Sequence, residues 1–171
     1  MSASLNNRPL KLHATSSGFT LIELMVTIAV LAIIVSIAAP SISTQLANQR
    51  VKSTASVIES ALKEAKAESI IKRQNIAVIY NSTSTPRTVT LQNGGSTLIT
   101  YNINSQNTVA VTTMGASPVN VTTVTFQPNK IIANNDGVIY TICDTNSSNE
   151  TPRQVSINRI ANISTINSGS C

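Results

Sequence analysis

The chain has little of what most soluble enzymes use. It contains no tryptophan, a single histidine at position 13, two cysteines, and aromatic residues at only 3% of its 171 positions. Charged residues make up 11%, so neither strongly acidic nor strongly basic partners are encoded by composition alone. His13 is the sole imidazole, so a histidine-based triad or metal site has one residue to draw on. Neither a P-loop nor a GxGxxG turn occurs. The cysteines, Cys143 and Cys171, do not form a CxxC pair. One disulfide in an oxidising compartment is the simplest reading, and two free thiols are the alternative. No cofactor is implied, and the metal-ligand expectation is none.

What the chain does have is one long apolar run. Met1–Gly18 is short and polar, with Arg8, Lys11 and His13. Phe19–Ala39 follows with 21 mostly apolar residues, about 31 Å as a helix and enough to cross a bilayer core. Basic residues on the Met1 side predict that this end stays cytoplasmic and the rest is exported. An ordinary secretory signal would need a shorter apolar region and a small-residue cleavage site, for which Ser36–Ser41 is a loose match. Two features oppose it: Glu23 inside the run, and a helical pattern that continues past Pro40. A carboxylate at that depth costs about 2.5–3.5 kcal/mol and is functional by default. No other charged residue lies between Lys11 and Arg50. A cut before Phe19 would create an α-amino group four residues from Glu23. That amine could face Glu23 of its own helix or of a neighbouring copy, and the second arrangement would set axial register.

Past Pro40, Val51, Ala55, Ile58, Leu62, Ala65 and Ser69 recur at spacings of four and three, the stripe of an amphipathic helix. Arg50, Lys52, Lys63, Lys66 and Lys72 are expected on its solvent face, with Glu59–Lys63 and Glu68–Lys72 at i,i+4. One helix of some fifty residues, bent near Pro40, is predicted. From Ile76 the period becomes two, and eight segments read as strands: 76–81, 87–92, 96–103, 108–113, 119–128, 137–143, 153–158 and 161–166. Turn signals at Asn93–Gly95 and Asn134–Gly137 and the short spacings predict largely antiparallel pairing, with the helix covering one face of a sheet. The expected fold class is α+β. Asp136, Asp144 and Glu150, the acids beyond the helix, are read as turn residues.

The heptapeptide Gly18–Leu24, "GFTLIEL", together with the basic leader, the uncut apolar run and Pro40, resembles the processing site of type IV prepilins and type II secretion pseudopilins. The resemblance implies cleavage between Gly18 and Phe19, N-methylation of Phe19, a registering role for Glu23 and a helix bend at Pro40. It implies a type IV pilin fold with four parts: 1–18 a leader that is removed, 19–39 a transmembrane and assembly helix, 40–74 an amphipathic helix, and 75–171 a β-rich domain. Such a protein is a substrate of the prepilin peptidase and N-methyltransferase, not an enzyme. It would sit as a single-pass protein of the inner membrane with a periplasmic domain, then in the pilus at the cell surface. Its partners would be other minor and major pilins, the peptidase and the assembly platform. Cut after Gly18, the chain would keep 10 basic against 7 acidic residues, a net of +3.

The strand-rich domain with two late cysteines is similar to the FimT/FimU minor pilins, which share a family with the pseudopilin GspH. The resemblance implies pilus-assembly initiation or a tip complex; the cysteines favour this branch over GspH, which usually lacks them. Some FimT-like pilins bind DNA in natural transformation through a "GRxR" motif, where this chain has Asn158-Arg159-Ile160-Ala161, with one arginine and no glycine. Lys130, Arg153 and Arg159 are the cations that would form a DNA-binding patch. Aromatic platforms for bases are limited to Tyr80, Tyr101, Phe126 and Tyr140.

Overall fold

The computed structural model describes residues 18–147 and 149–171, apart from the side chains of 38–41. Residues 1–17, with Arg8, Lys11 and His13, lie outside the described residues, and so does the side chain of Pro40 at the expected bend. By internal contacts the chain divides into Met1–Ala39 and Pro40–Cys171. Helix α1 runs Leu21–Lys72 and is followed by eight strands: β1 Ile76–Asn81, β2 Thr88–Asn93, β3 Ser96–Asn102, β4 Asn107–Thr113, β5 Thr123–Phe126, β6 Val138–Asp144, β7 Arg153–Ile157 and β8 Ile163–Asn167.

The fold is α+β, and its strands are antiparallel throughout the two sheets described. They form not one sheet but two of four strands, ordered β3-β2-β1-β5 and β4-β6-β7-β8. The reason lies in the chain between β4 and β5. Within the expected strand 119–128 only Thr123–Phe126 pairs with β1. The preceding residues turn to the other sheet, where the Val121 amide donates to the Val111 carbonyl (3.0 Å) and Thr112 bridges Asn120. The segment thus belongs to both sheets in turn.

The predicted stripe is the buried one. Val51, Ala55, Ile58, Leu62, Ala65 and Ser69 are all 2% exposed or less, joined by Ala47, Thr54 and Ala61. The apolar ones from Val51 to Ala65 pack into one core with the alternating inward residues of both sheets, such as Val78, Leu91, Val111, Tyr140 and Val155. The helix therefore covers two sheets rather than one face of a single sheet. It ends at Lys72 with Arg73 in the left-handed region (φ 52°), and the Gln74 amide reaches back to the Ser69 carbonyl (3.3 Å), a Schellman-type stop. Gly94 and Gly95, both at positive φ, make the β2–β3 turn expected at Asn93–Gly95. Before β6, a Cβ on Gly137 would come within 2.6 Å of the Ile157 carbonyl oxygen, so this crossing admits only glycine.

Candidate functional site

Gly18, Phe19 and Thr20 precede the helix, and α1 begins at Leu21 with Glu23 in its first turn. Thr20 is the N-cap: its Oγ1 accepts from the Glu23 amide at 3.2 Å, and its carbonyl accepts from the Leu24 amide at 3.2 Å. Thr20-Leu21-Ile22-Glu23 therefore has the spacing of a capping box, in which an acid at the third helical position also offsets the positive end of the helix dipole. This local reason for Glu23 was legible in the sequence as T-x-x-E. It places the carboxylate at the head of the helix, not midway along it. A Cβ on Gly18 would meet no described atom within 4 Å, so the fold itself does not demand glycine there.

From Phe19 to Ile37 every large apolar side chain is exposed, from 50% at Val30 to 80% at Phe19. A helix segment apolar on all sides and exposed along its length calls for lipid or other helices around it. Three polar side chains interrupt the stretch Leu21–Ile37. Two satisfy themselves: the Thr27 hydroxyl donates to the Leu24 carbonyl (2.8 Å) and the Ser36 hydroxyl to the Ile33 carbonyl (2.7 Å). Glu23 is the third, and its carboxylate has no partner among the described residues. Among the described residues no single helix is long and apolar enough to cross a membrane; Leu21–Ile37 meets that requirement only together with Ile42–Lys72.

In the domain, Cys143 and Cys171 form a disulfide, with Cα atoms 6.0 Å apart and a sequence separation of 28. Beside it, Asp144 is not a turn residue. It ends β6 with its side chain fully buried and accepts two hydrogen bonds from Arg50, at 2.7 and 3.1 Å. The Arg50 hydrogen bonds hold the Asp144 carboxyl below the usual carboxylate range despite its burial. Arg50 thus leaves the solvent face on which the helical pattern put it. Next to this pair, the buried Asn107 amide donates to the Arg50 carbonyl (2.8 Å) and Thr54 Oγ1 (2.7 Å), tying β4 to the helix. Lys66 also turns inward and donates to the Ala161 carbonyl (2.7 Å). Sequence periodicity cannot find such bonds, because their partners lie about ninety residues apart.

The three cations suggested for DNA do not share one surface segment. The Ile132 amide donates to the Arg159 carbonyl (3.1 Å), which brings the Lys130 turn beside the β7–β8 hairpin that carries Arg159. Arg153 starts β7 at its other end, paired in register with Asn167 and Ile142. Among the described residues no group of three or more His, Cys, Asp or Glu side chains could hold a metal ion.

Residues 14–39 match the model of the prokaryotic N-terminal methylation motif. No curated protein matches the chain. Among solved structures, the chain is similar to the type IV minor pilin FimU of Pseudomonas aeruginosa PAO1. Identity is 18% and the TM-score 0.57, over 72% of this chain and 96% of that one. A second crystal form gives 18%, 0.55, 70% and 98%. The minor pseudopilin EpsH from the type 2 secretion system of Vibrio cholerae gives 9% and 0.56, over 71% of this chain and 99% of that one. The chain thus carries a prokaryotic N-terminal methylation motif at the head of a long helix and shares the fold of the minor pilin FimU and the minor pseudopilin EpsH.

Proposed function

We propose that the chain is a structural subunit, a minor pilin, cut between Gly18 and Phe19, N-methylated on Phe19 and built into a filament through residues 19–39. Residues 40–74 then join that helix to the domain 75–171, which faces neighbouring subunits. The observation that carries this reading is the bare apolar stretch Phe19–Ile37, whose one side chain without a partner among the described residues, Glu23, lies within a methylation motif. Cleavage would place a new ammonium at Phe19, within a turn of Glu23 and at the positive end of the helix. One carboxylate would then offset both. In a growing bundle the same carboxylate would receive the amine of the next subunit and fix its axial position. Before assembly the protein would reside in the inner membrane with its domain in the periplasm, meeting the prepilin peptidase and then the assembly platform. Pilus-assembly initiation or a tip complex, with support of motility and natural transformation, is the finer reading favoured by the Cys143–Cys171 bridge. A GspH-like place in a secretion pseudopilus is the alternative kept open by the likeness to EpsH.

The test is Glu23→Ala in cells, with sheared filaments and membranes blotted separately. The processed form should persist in the membrane while the filament fraction falls at least tenfold. Wild-type incorporation would remove the role assigned to Glu23.

A second reading, DNA capture in the FimT manner, has one observation behind it: Lys130 and Arg159 lie on adjoining turns. Arg153 lies apart from them, which leaves two cations where several phosphate contacts are needed for salt-dependent affinity. Gel shifts at low and physiological salt decide it, and loss of all salt-sensitive binding in Lys130→Ala with Arg159→Ala is the result this reading requires.

A further inference from the structure

Between positions 40 and 171 the chain has ten basic and six acidic residues, a net of +4 by subtraction. Three cations are neutralised locally, in the pairs Arg50–Asp144, Lys63–Glu59 and Lys72–Glu68. The side chains of Lys52 and Arg153 have no hydrogen-bond or ion-pair partner among the described residues, yet they line the same groove, of about 300 Å³. Side-chain amides complete its walls, from Gln45, Asn48 and Gln49 on the helix and Asn167 on β8.

The groove is held open by bonds on three sides. Asn48 Oδ1 accepts from the Thr151 amide at 2.7 Å, fastening the β6–β7 loop to the helix. The Ser168 amide donates to the Pro152 carbonyl at 2.8 Å, which lays the C-terminal tail along the start of β7. The Cys143–Cys171 bridge then anchors the end of that tail to β6. Two like charges in a concave site with no counter-ion repel each other and attract an anion, and a groove concentrates their field. The amides offer both donors and acceptors, which suits a peptide backbone. No aromatic residue lines the groove, so stacked bases find no platform. A second copy of this chain would bring a surface of the same sign, and like-charge contacts oppose such pairing.

We infer that this groove receives an acidic segment of a neighbouring, different subunit. The inference rests on the subunit role proposed above and names the chemistry of one contact in it. The rigid wall supplied by the disulfide keeps Lys52 and Arg153 facing the same space in the absence of the partner. It also gives the two cysteines a purpose beyond stability.

The test places a photo-crosslinking amino acid at Gln49 of the full chain, in the cells that make it, and identifies the captured peptide by mass spectrometry. A peptide containing Asp or Glu from another subunit is expected. Reversing those acids to Lys should lower the crosslink yield at least tenfold, and Lys52→Glu with Arg153→Glu should restore it. Should the double variant fail to fold, Lys52→Glu alone must give partial rescue. Capture of a second copy, of nucleic acid or of lipid, or failure of the charge swap to rescue, would overturn the inference. So would a chain that enters filaments normally without crosslinking at Gln49. That last result differs from failure of the subunit role itself, in which the chain is missing from filaments altogether.

Discussion

Opening the Cys143–Cys171 bridge should cost the domain a measurable and calculable amount. The bond closes a loop of about 29 residues, and the chain-entropy relation gives about 3.6 kcal/mol at 25 °C. Inside that loop lie β7 and β8, half of one sheet. Cys143 itself sits on β6 opposite Thr108 of β4, so the tail is tied to a central strand. Without the bridge the unfolded chain regains that freedom, while the folded sheet keeps its hydrogen bonds. For a unit of this size each kcal/mol moves the melting midpoint by about 3–4 °C, so reduction should lower it by about 11–14 °C. Calorimetry of the full chain in detergent, with and without reductant, reads the shift, and the Cys143→Ala, Cys171→Ala double variant should match the reduced protein. Thiol labelling without reductant should find none. Two reactive thiols in the untreated protein, or a midpoint that moves by less than about 2 °C on reduction, would refute the reasoning. The second outcome would mean that the tail frays without loosening the sheet.

Asp144→Ala removes a fully buried carboxylate that satisfies Arg50 and the Asn146 amide, and should destabilise by about 2–3 kcal/mol in denaturant titrations. Because the folded carboxyl is held below its ordinary range, its contribution is complete above about pH 4 and is lost as pH falls through the folded value. Asp144→Asn should therefore flatten the fall of the melting midpoint on acidification. Tyr140 is buried with its hydroxyl unpartnered, and burial pushes its ionisation far up. Tyr140→Phe should leave stability unchanged or raise it by about 1 kcal/mol, and a loss of that size would show that the hydroxyl has a partner.

Much of the fold was legible because it follows local periodicity. The helical stripe from Val51 to Ser69 is the buried face, and each of the eight expected strands exists with ends shifted by a few residues. The pairing of β1 with β5 and of β4 with β6 was not legible, since both pairs are separated by long stretches of chain. Nothing in a period of two tells which sheet a strand joins, and so the division into two sheets was not legible. Arg50 and Asp144 were misread for a related reason: a charge reads as solvent-facing until its distant partner is known. At the candidate site the signal is local. Glu23 stands out because a carboxylate within an apolar run needs an explanation, whereas Gly18 and Phe19 are singled out only by the resemblance of the heptapeptide that holds them. Thr20, the cap that places Glu23 in the first turn, went unread although its spacing was visible.

The claim beneath all of this is that the working N-terminus is made by a cut after Gly18, which gives Glu23 its counter-charge. Mass spectrometry of the protein isolated from membranes and filaments tests it most directly. The account predicts a chain that begins at Phe19 and carries one added methyl group on its amine. A protein that retains Met1, or begins at any other residue, would contradict it.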